Sequence, residues 1–165
     1  MRWKPPERPC VECGYSWSVT PAEAIALVAA LPDGCAAALS SGDPTRAPAP
    51  GVWSPGEYVW HLVDVMRIGT ERLWTLTDDA RAGVPCWDEN ALASVRQYSK
   101  LSVPVGLRGL RSAVREWLDA AAEVPAGAAV EHPLYGLLTA TDVIRRHAHE
   151  AQHHLLDITR GLEEP

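Results

Sequence analysis

The 165-residue sequence contains no phenylalanine and no uninterrupted run approaching the roughly eighteen apolar residues of a membrane span. We therefore predict no membrane-spanning helix. Residues 1–6 also lack the apolar segment of a signal peptide, which indicates a cytoplasmic protein with reduced cysteines. The chain is long enough for one domain, and its 47% of hydrophobic residues can form a sizeable core.

Clusters of lysine and arginine are absent too, and the formal net charge is −6 with a pI near 5.5. Proteins that bind nucleic acid usually present a basic face to the phosphates. We therefore expect no nucleic-acid partner and look instead for a small-molecule site.

Helix-start signals recur along the chain, whereas strand alternation does not. Residues 20–23 (TPAE) and 54–57 (SPGE) each combine an N-cap residue, a proline at the first helical position and a glutamate at the third. We expect Pro32 and Gly34 to bend or break the first helix and Gly161 to end the last. The predicted helices span about 20–39, 55–76, 105–122 and 140–160, with a short helix near 89–97.

These elements predict an all-α protein. Residues 1–19, rich in proline, cysteine and tryptophan, form an irregular N-terminal arm, and residues 20–162 form a single four-helix bundle. The links before the second and fourth helices are long, which leaves room for crossover connections.

A dense group of metal-ligating residue types marks the last helix, where residues 146–157 hold four of the six histidines. A helix repeats every 3.6 residues, so Glu150 and His154 stack one turn apart, as do His149 and His153. The apolar stripe of this helix flanks His154, whereas His149 and His153 project roughly opposite it, toward the expected solvent side. The pair with inward access is therefore Glu150 and His154. The apolar stripe consists of Ile144, Ala148, Ala151, Leu155 and Ile158.

A third ligand is available on the second helix, where His61 falls within an apolar stripe. His61, Glu150 and His154 then make a three-ligand metal site with positions left for water or substrate, which is the form of a catalytic site. Asp157, His147 and Asp64 are candidates for orienting an imidazole or carrying a proton. The alternatives are that His149 and His153 ligate instead, or that this polar face only solvates the surface. His149 and His153 lie on the same helix as Glu150 and His154.

The motifs WSP at 53–55, Glu57 and HLVD at 61–64, with HExxHHxxDI at 149–158, resemble the DinB family of metal-binding four-helix bundles. The resemblance covers roughly residues 20–160 and implies up-down-down-up topology. It also implies a divalent metal, zinc or nickel, held by one histidine of the second helix and an i, i+4 pair of the last. Glu150, His154 and Asp157 are similar to the pattern of mycothiol-dependent maleylpyruvate isomerases. Iron(II) is a further candidate metal.

The chain lacks the additional C-terminal domain of that isomerase, so the resemblance implies thiol S-transfer rather than isomerisation. Many family members resemble transferases that use the metal to deprotonate a low-molecular-weight thiol such as mycothiol or bacillithiol. A metal-dependent hydrolase and a non-catalytic binding protein are the alternatives, and a structural dimerisation module is a more distant one. A homodimer is the default expectation for a small helical bundle.

Cys10 and Cys13 form an isolated CxxC in the arm. The pair can be a redox couple, a zinc half-site completed by Cys86 or a histidine, or simply two thiols in a tail. The sequence alone favours the last interpretation.

Overall fold

The computed structural model of the protein describes residues 1–79 and 83–163. Within them, four long helices carry the fold, a short helix follows the second of them, and a small hairpin precedes the last. The elements are α1 (Pro21–Ala38), α2 (Pro55–Asp78), α3 (Glu89–Arg96), α4 (Val103–Glu123), β1 (Ala129–His132), β2 (Gly136–Thr139) and α5 (Ala140–Glu163).

Both predicted capping boxes form and set the starts of α1 and α2. The Thr20 and Ser54 side chains accept from the backbone N–H groups of Glu23 and Glu57, and each glutamate carboxylate accepts from the backbone N–H of the cap residue. Thr139 caps α5 in the same way, with its backbone N–H donating to Asp142 at 2.9 Å. Because caps of this kind satisfy otherwise orphaned N–H groups, local sequence alone fixes these helix starts.

The four long helices enclose one core. Helix α2 packs against α4 and α5, and α1 packs against α5 and α4. Neighbours in sequence, such as α1 and α2, therefore lie across the bundle from each other, and the crossover connections expected from the long links are present. The stripe predicted on α5 faces inward, because Ala148, Ala151 and Ile158 are almost completely buried. The predicted four-helix bundle is confirmed.

Several local expectations were wrong. Helix α1 continues through Pro32 without a break, and α5 runs past Gly161 to Glu163. Strand pairing was not expected, yet β1 and β2 form an antiparallel hairpin in which Val130 pairs with Leu138. The hairpin is short, and its strands are bounded by turns, so it offers too few residues for a period-two pattern to stand out.

Helix α1 also departs from the expectation that the chain has no apolar segment long enough for a membrane span. Together with the turn that follows it, Pro21–Ser41 is long and apolar enough to cross a membrane by composition. In the folded chain, Ala24, Val28, Leu31 and Cys35 are buried in the bundle core. These residues belong to the one face of α1 that packs against α4 and α5, while most of the segment lies outside the core, so we interpret α1 as an outer helix of the bundle.

The N-terminal arm is held on the bundle at two places. The backbone N–H of Trp3 donates to the Leu137 carbonyl at 3.0 Å, which places the start of the arm beside β2. Further along, Tyr15 is 1% exposed and its hydroxyl donates to the Arg145 carbonyl on α5 at 2.8 Å. The arm therefore ends against the helix that carries the histidine cluster.

Candidate metal centre

The side chains of His61, Glu150 and His154 converge between α2 and α5. Each offers a ligand atom that lies within 4.8 Å of the other two. The two imidazole rings are 4.6 Å apart and perpendicular, and Nε2 of His154 lies 3.2 Å from Oε2 of Glu150. The structure thus brings together the three residues selected from the helical periodicity and the position of His61.

Asp157 fixes the orientation of His154. Its Oδ2 lies 2.8 Å from Nδ1 of His154, on the side of the ring away from Glu150. With Nδ1 engaged as a donor, Nε2 is the nitrogen that can offer a lone pair to a metal. A carboxylate behind a ligating imidazole is a common arrangement in metal sites, because it fixes the tautomer and raises the basicity of the ligand.

His61 is 3% exposed, and its Nδ1 is buried without a hydrogen-bond partner among the described residues. Two indoles contact the ring, with Trp87 stacked 5.7 Å away at 22° and Trp53 tilted at 5.1 Å. An orphaned buried polar atom costs free energy, and proteins tolerate it where function requires it. A bound cation or ligand at this imidazole would explain its retention.

The charges of the three residues suit a divalent cation. Burial, and then the neighbouring His154, lowers the pKa of His61 to about 3, so this imidazole is neutral. Burial alone would raise the pKa of Glu150, but hydrogen bonds with His149 and His154 hold it well below its usual range. Burial by itself would lower the pKa of His154, yet Asp157 and Glu150 raise it to about 9. In the metal-free protein, the protonated His154 ring therefore lies between the carboxylates of Asp157 and Glu150. The same negative charges would neutralise a bound cation equally well.

The three residues open onto a cavity of about 550 Å³. This volume lies within the usual range for small-molecule pockets, roughly 300–1,000 Å³. Tyr58, stacked on His154 at 5.4 Å, lines the same space together with Trp53 and Trp87. Residues of the hairpin and two arginines, Arg72 of α2 and Arg146 of α5, line the cavity as well.

Two comparisons with known proteins bear on this arrangement. The family model of the DinB superfamily matches residues 17–158. This chain belongs to the DinB superfamily. Among solved structures, it is similar to YfiT from Bacillus subtilis, described as a probable metal-dependent hydrolase with an unusual four-helix bundle topology. That likeness has a TM-score of 0.79 at 16% sequence identity and covers 97% of this chain and 91% of YfiT. A search of curated protein sequences finds no match.

In this DinB bundle, Asp64 does not orient His61 as the sequence suggested. Its two carboxylate oxygens bind Arg96 and the Tyr98 hydroxyl. Both partners belong to the segment at α3, so the buried carboxylate fastens that segment to α2 rather than serving the cavity. Sequence spacing placed Asp64 one turn from His61 but could not show which side of α2 receives Arg96.

His147 lies at the cavity but not behind a metal ligand. Its Nδ1 accepts a hydrogen bond from Nε1 of Trp117 at 3.1 Å, and the ring is 4% exposed. Burial, and then Arg72, lowers its pKa to about 3. Of the three residues expected to support the ligands, Asp157 alone contacts one of them.

His149 and His153 do not face solvent as expected. Both are covered by the N-terminal arm, and their side chains are 18% and 21% exposed. The periodicity of α5 correctly placed both histidines opposite the apolar stripe. The N-terminal arm, however, packs over that side of the helix, which would otherwise face solvent. A further grouping of His153, His154 and Asp157 also has ligand atoms within 4.8 Å. It is the weaker candidate, because Asp157 already accepts from His154.

The arginines and loop aromatics of the cavity were missed by sequence reasoning. Trp53 and Trp87 line the space although they precede α2 and α3, whereas Trp74, near the C-terminal end of α2, is 46% exposed. Arg72 and Arg146 carried no motif. The one signal that could have identified these arginines is that each is a charged residue on the inward side of its helix.

Proposed function

We propose that this DinB protein is a divalent-metal-dependent enzyme whose metal is held by His61, Glu150 and His154. The observation that carries the proposal is the convergence of two imidazoles and one carboxylate on the wall of a small-molecule cavity. Three protein ligands leave exchangeable positions, which distinguishes catalytic from structural zinc sites. A metal bound there supplies a Lewis acid that lowers the pKa of a coordinated thiol or water toward neutrality. Zinc suits this donor set best, and nickel or iron(II) are compatible with it.

The reaction that we propose is S-transfer from a low-molecular-weight thiol to an electrophile. The resemblance to thiol-dependent DinB enzymes supports this choice, as does a cavity large enough for two small reactants. Asp157 holds His154 in the ligating tautomer, and the indoles of Trp53 and Trp87 shield His61 from bulk water. The chain's own residues thus keep His61 neutral and hold His154 aligned, and a bound metal would replace the proton on Nε2 of His154.

Two arginines suggest that the electrophile carries an anionic group. Arg72 and Arg146 line the cavity, and neither forms an ion pair with a carboxylate among the described residues. Nε of Arg72 is buried without a hydrogen-bond partner there, and burial, followed by the charge of Arg146, lowers the pKa of Arg72. Two partly desolvated like charges repel each other, and a carboxylate between them would relieve that cost.

An α,β-unsaturated carboxylic acid satisfies these requirements. The thiol sulfur forms a bond to the β-carbon, and the thiol proton ends on the α-carbon, so no oxidant or further reactant is needed. The carboxylate of such an acid is the group that the two arginines would hold. The Trp53 and Trp87 indoles offer an apolar surface for its hydrocarbon part.

A metal-dependent hydrolase is the second candidate. The likeness to YfiT, described as a probable hydrolase of this kind, favours it. The same three ligands and the same cavity would serve both reactions, so the ligand set does not distinguish them. The two functions differ in whether turnover requires an added thiol.

The test is a paired assay on protein loaded with one metal at a time. Adduct formation is followed between a panel of low-molecular-weight thiols, including mycothiol and bacillithiol, and an unsaturated acid or its methyl ester. Hydrolysis of activated esters and amides is followed without thiol. We expect metal-dependent adduct formation that is faster with the acid than with the ester. Thiol-independent hydrolysis in place of adduct formation would assign the hydrolase, and neither activity on any probe would contradict an enzymatic role.

Variants connect the activity to the proposed residues. His154→Gln should lose the metal of this centre and the activity together. Arg72→Gln should raise KM for the acid by about 10- to 100-fold, the value of a hydrogen bond to a charged group, and leave KM for the ester unchanged. Arg115→Gln is the matched control, because Arg115 lies exposed on α4 away from the cavity. Equal effects of the two arginine variants would contradict the anion site.

A further inference from the structure

The two cysteines of the N-terminal arm lie against the two histidines of α5 that the cavity does not use. Cys10, Cys13, His149 and His153 each offer a ligand atom within 4.8 Å of the other three. Sγ of Cys10 is 3.8 Å from Nδ1 of His153. Zinc bonds of about 2.3 Å to sulfur and 2.0–2.1 Å to nitrogen place tetrahedral ligand atoms roughly 3.3–3.8 Å apart, so only small shifts separate this cluster from such a site.

The backbone between the cysteines forms a tight turn. The Gly14 N–H donates to the Cys10 carbonyl at 2.9 Å, and Gly14 adopts a φ of +70°, which glycine tolerates best. The turn brings the two sulfurs together, within 4.8 Å of each other and of the two imidazoles. Zinc binds cysteine as the thiolate, so two cysteines in one turn supply two of its ligands.

The histidines present their free nitrogens to this turn. Nε2 of His149 is buried without a hydrogen-bond partner among the described residues, while its Nδ1 lies 3.7 Å from Glu150. Nδ1 of His153 faces Cys10, and its Nε2 lies 3.4 Å from Glu12. Each imidazole thus has a carboxylate behind one nitrogen and the thiols before the other, as metal-binding histidines usually do.

Aromatic packing holds the cluster in place. Trp17 stacks on the His149 ring at 4.8 Å, and Tyr15 contacts the same ring edge-on at 5.5 Å. On the other side, Gln152 donates to the Cys13 carbonyl at 2.8 Å. The arm therefore approaches α5 through specific contacts at Cys13 and in the residues that follow the CxxC, unlike two thiols in a mobile tail.

We propose that Cys10, Cys13, His149 and His153 form a second, structural zinc site that fastens the N-terminal arm to α5. Four protein ligands close the coordination sphere, so this site has no open position for catalysis. Its two thiolates and two imidazoles select zinc over the harder divalent ions. Cys86, the other cysteine considered as a ligand, instead lies exposed at the cavity.

This site would also brace the cavity-facing ligands. Glu150 reaches both histidine pairs, with Oε1 at 3.7 Å from Nδ1 of His149 and Oε2 at 3.2 Å from Nε2 of His154. Oδ2 of Asp157 lies 2.8 Å from Nδ1 of His154 and 3.8 Å from Nε2 of His153. Both carboxylates are therefore oriented by imidazoles that a closed zinc site would immobilise.

The test counts metal in tag-free protein purified under reducing conditions and saturated with zinc. The wild type and Cys86→Ser should each bind one equivalent more than Cys13→Ser and His153→Gln. His61→Gln should retain the equivalent that the Cys13→Ser variant loses, which keeps this result independent of the cavity site. Limited proteolysis should show residues 1–19 becoming sensitive in Cys13→Ser and in wild type treated with a chelator.

Cobalt substitution of the wild type avoids any risk from misfolded variants. A tetrahedral cobalt site with two thiolates should give a sulfur-to-cobalt charge-transfer band, retained in Cys86→Ser. Absence of that band, or equal zinc content in wild type and Cys13→Ser, would overturn the proposal. So would a Cys10–Cys13 disulfide whose reduction fails to restore zinc binding, because the pair would then be a redox couple.

Discussion

Acid should destabilise the metal-free protein in part through one buried imidazole, that of His147. Trp117 donates to its Nδ1 at 3.1 Å, so that nitrogen must remain unprotonated in the folded protein. Burial, and then Arg72, lowers its pKa to about 3, against about 6.5 for an unfolded chain. Below pH 6.5 the unfolded state therefore binds one more proton than the folded state, and stability falls as the pH falls.

The size of the effect follows from the shift in pKa. Each pH unit between the two pKa values corresponds to about 1.4 kcal/mol, so lowering the pH from 6.5 to 4.5 should remove roughly 2–3 kcal/mol through this group. His147→Gln keeps an oxygen acceptor for the Trp117 indole but cannot titrate. Its loss of stability between pH 7.5 and pH 4.5 should be smaller than that of the wild type by this amount.

The measurement is urea unfolding of chelator-treated protein at several pH values. Carboxylates and other histidines titrate in both proteins, so the difference between the wild type and His147→Gln isolates one group. Trp117→Phe is the control, because it removes the hydrogen bond but keeps the imidazole buried, and should retain the wild-type pH slope. Parallel slopes for the wild type and His147→Gln would refute the conclusion that a neutral, buried imidazole occupies this place.

Further predictions concern packing around the same helices. Gly69→Ala should lower the unfolding free energy by about 1–3 kcal/mol, because a Cβ there would lie 2.9 Å from the His147 ring. Gly109→Ala on α4 is the control, because a Cβ there would lie 3.5 Å from its nearest neighbour, and it should be neutral or slightly stabilising in thermal melts. Asp64→Asn should weaken the pairing with Arg96 and lower the melting temperature while leaving the metal content unchanged. Loss of metal in Asp64→Asn would mean that this carboxylate supports His61 after all.

The helix starts and the buried side of α5 could be predicted because they depend on local rules. A capping box acts over four residues, and Thr20 and Ser54 therefore begin α1 and α2 whatever the rest of the chain does. The pair Glu150 and His154 followed from the period of one helix. Their approach to His61 followed from placing two inward-facing polar groups in a single core.

The remaining features depend on contacts distant in sequence. His149 and His153 lie beneath a segment more than 130 residues away, so no helical wheel could show that the arm covers them. The pairing of Asp64 with Arg96 rather than with His61 is likewise a contact between residues distant in sequence. Pro32 fails to break α1 because tertiary packing of an apolar helix outweighs a local penalty of about 3 kcal/mol.

The arm's placement changes the interpretation of the CxxC motif. From sequence, two cysteines without a second pair favoured a tail with two thiols. In the folded chain, the pair meets two histidines whose spacing of four residues was already visible on α5. The sequence showed both i, i+4 ligand pairs on one helix but they were weighed as alternatives for one site, whereas two pairs are enough for two separate sites.

The most direct test of the account is the position of a metal ion in crystals of the zinc-saturated protein, located by anomalous diffraction at the zinc edge. We predict a peak about 2.0–2.2 Å from a ring nitrogen of His61, Nε2 of His154 and a carboxylate oxygen of Glu150. A peak restricted to His153, His154 and Asp157, or no peak near His61 under saturating zinc or nickel, would contradict the three-ligand centre.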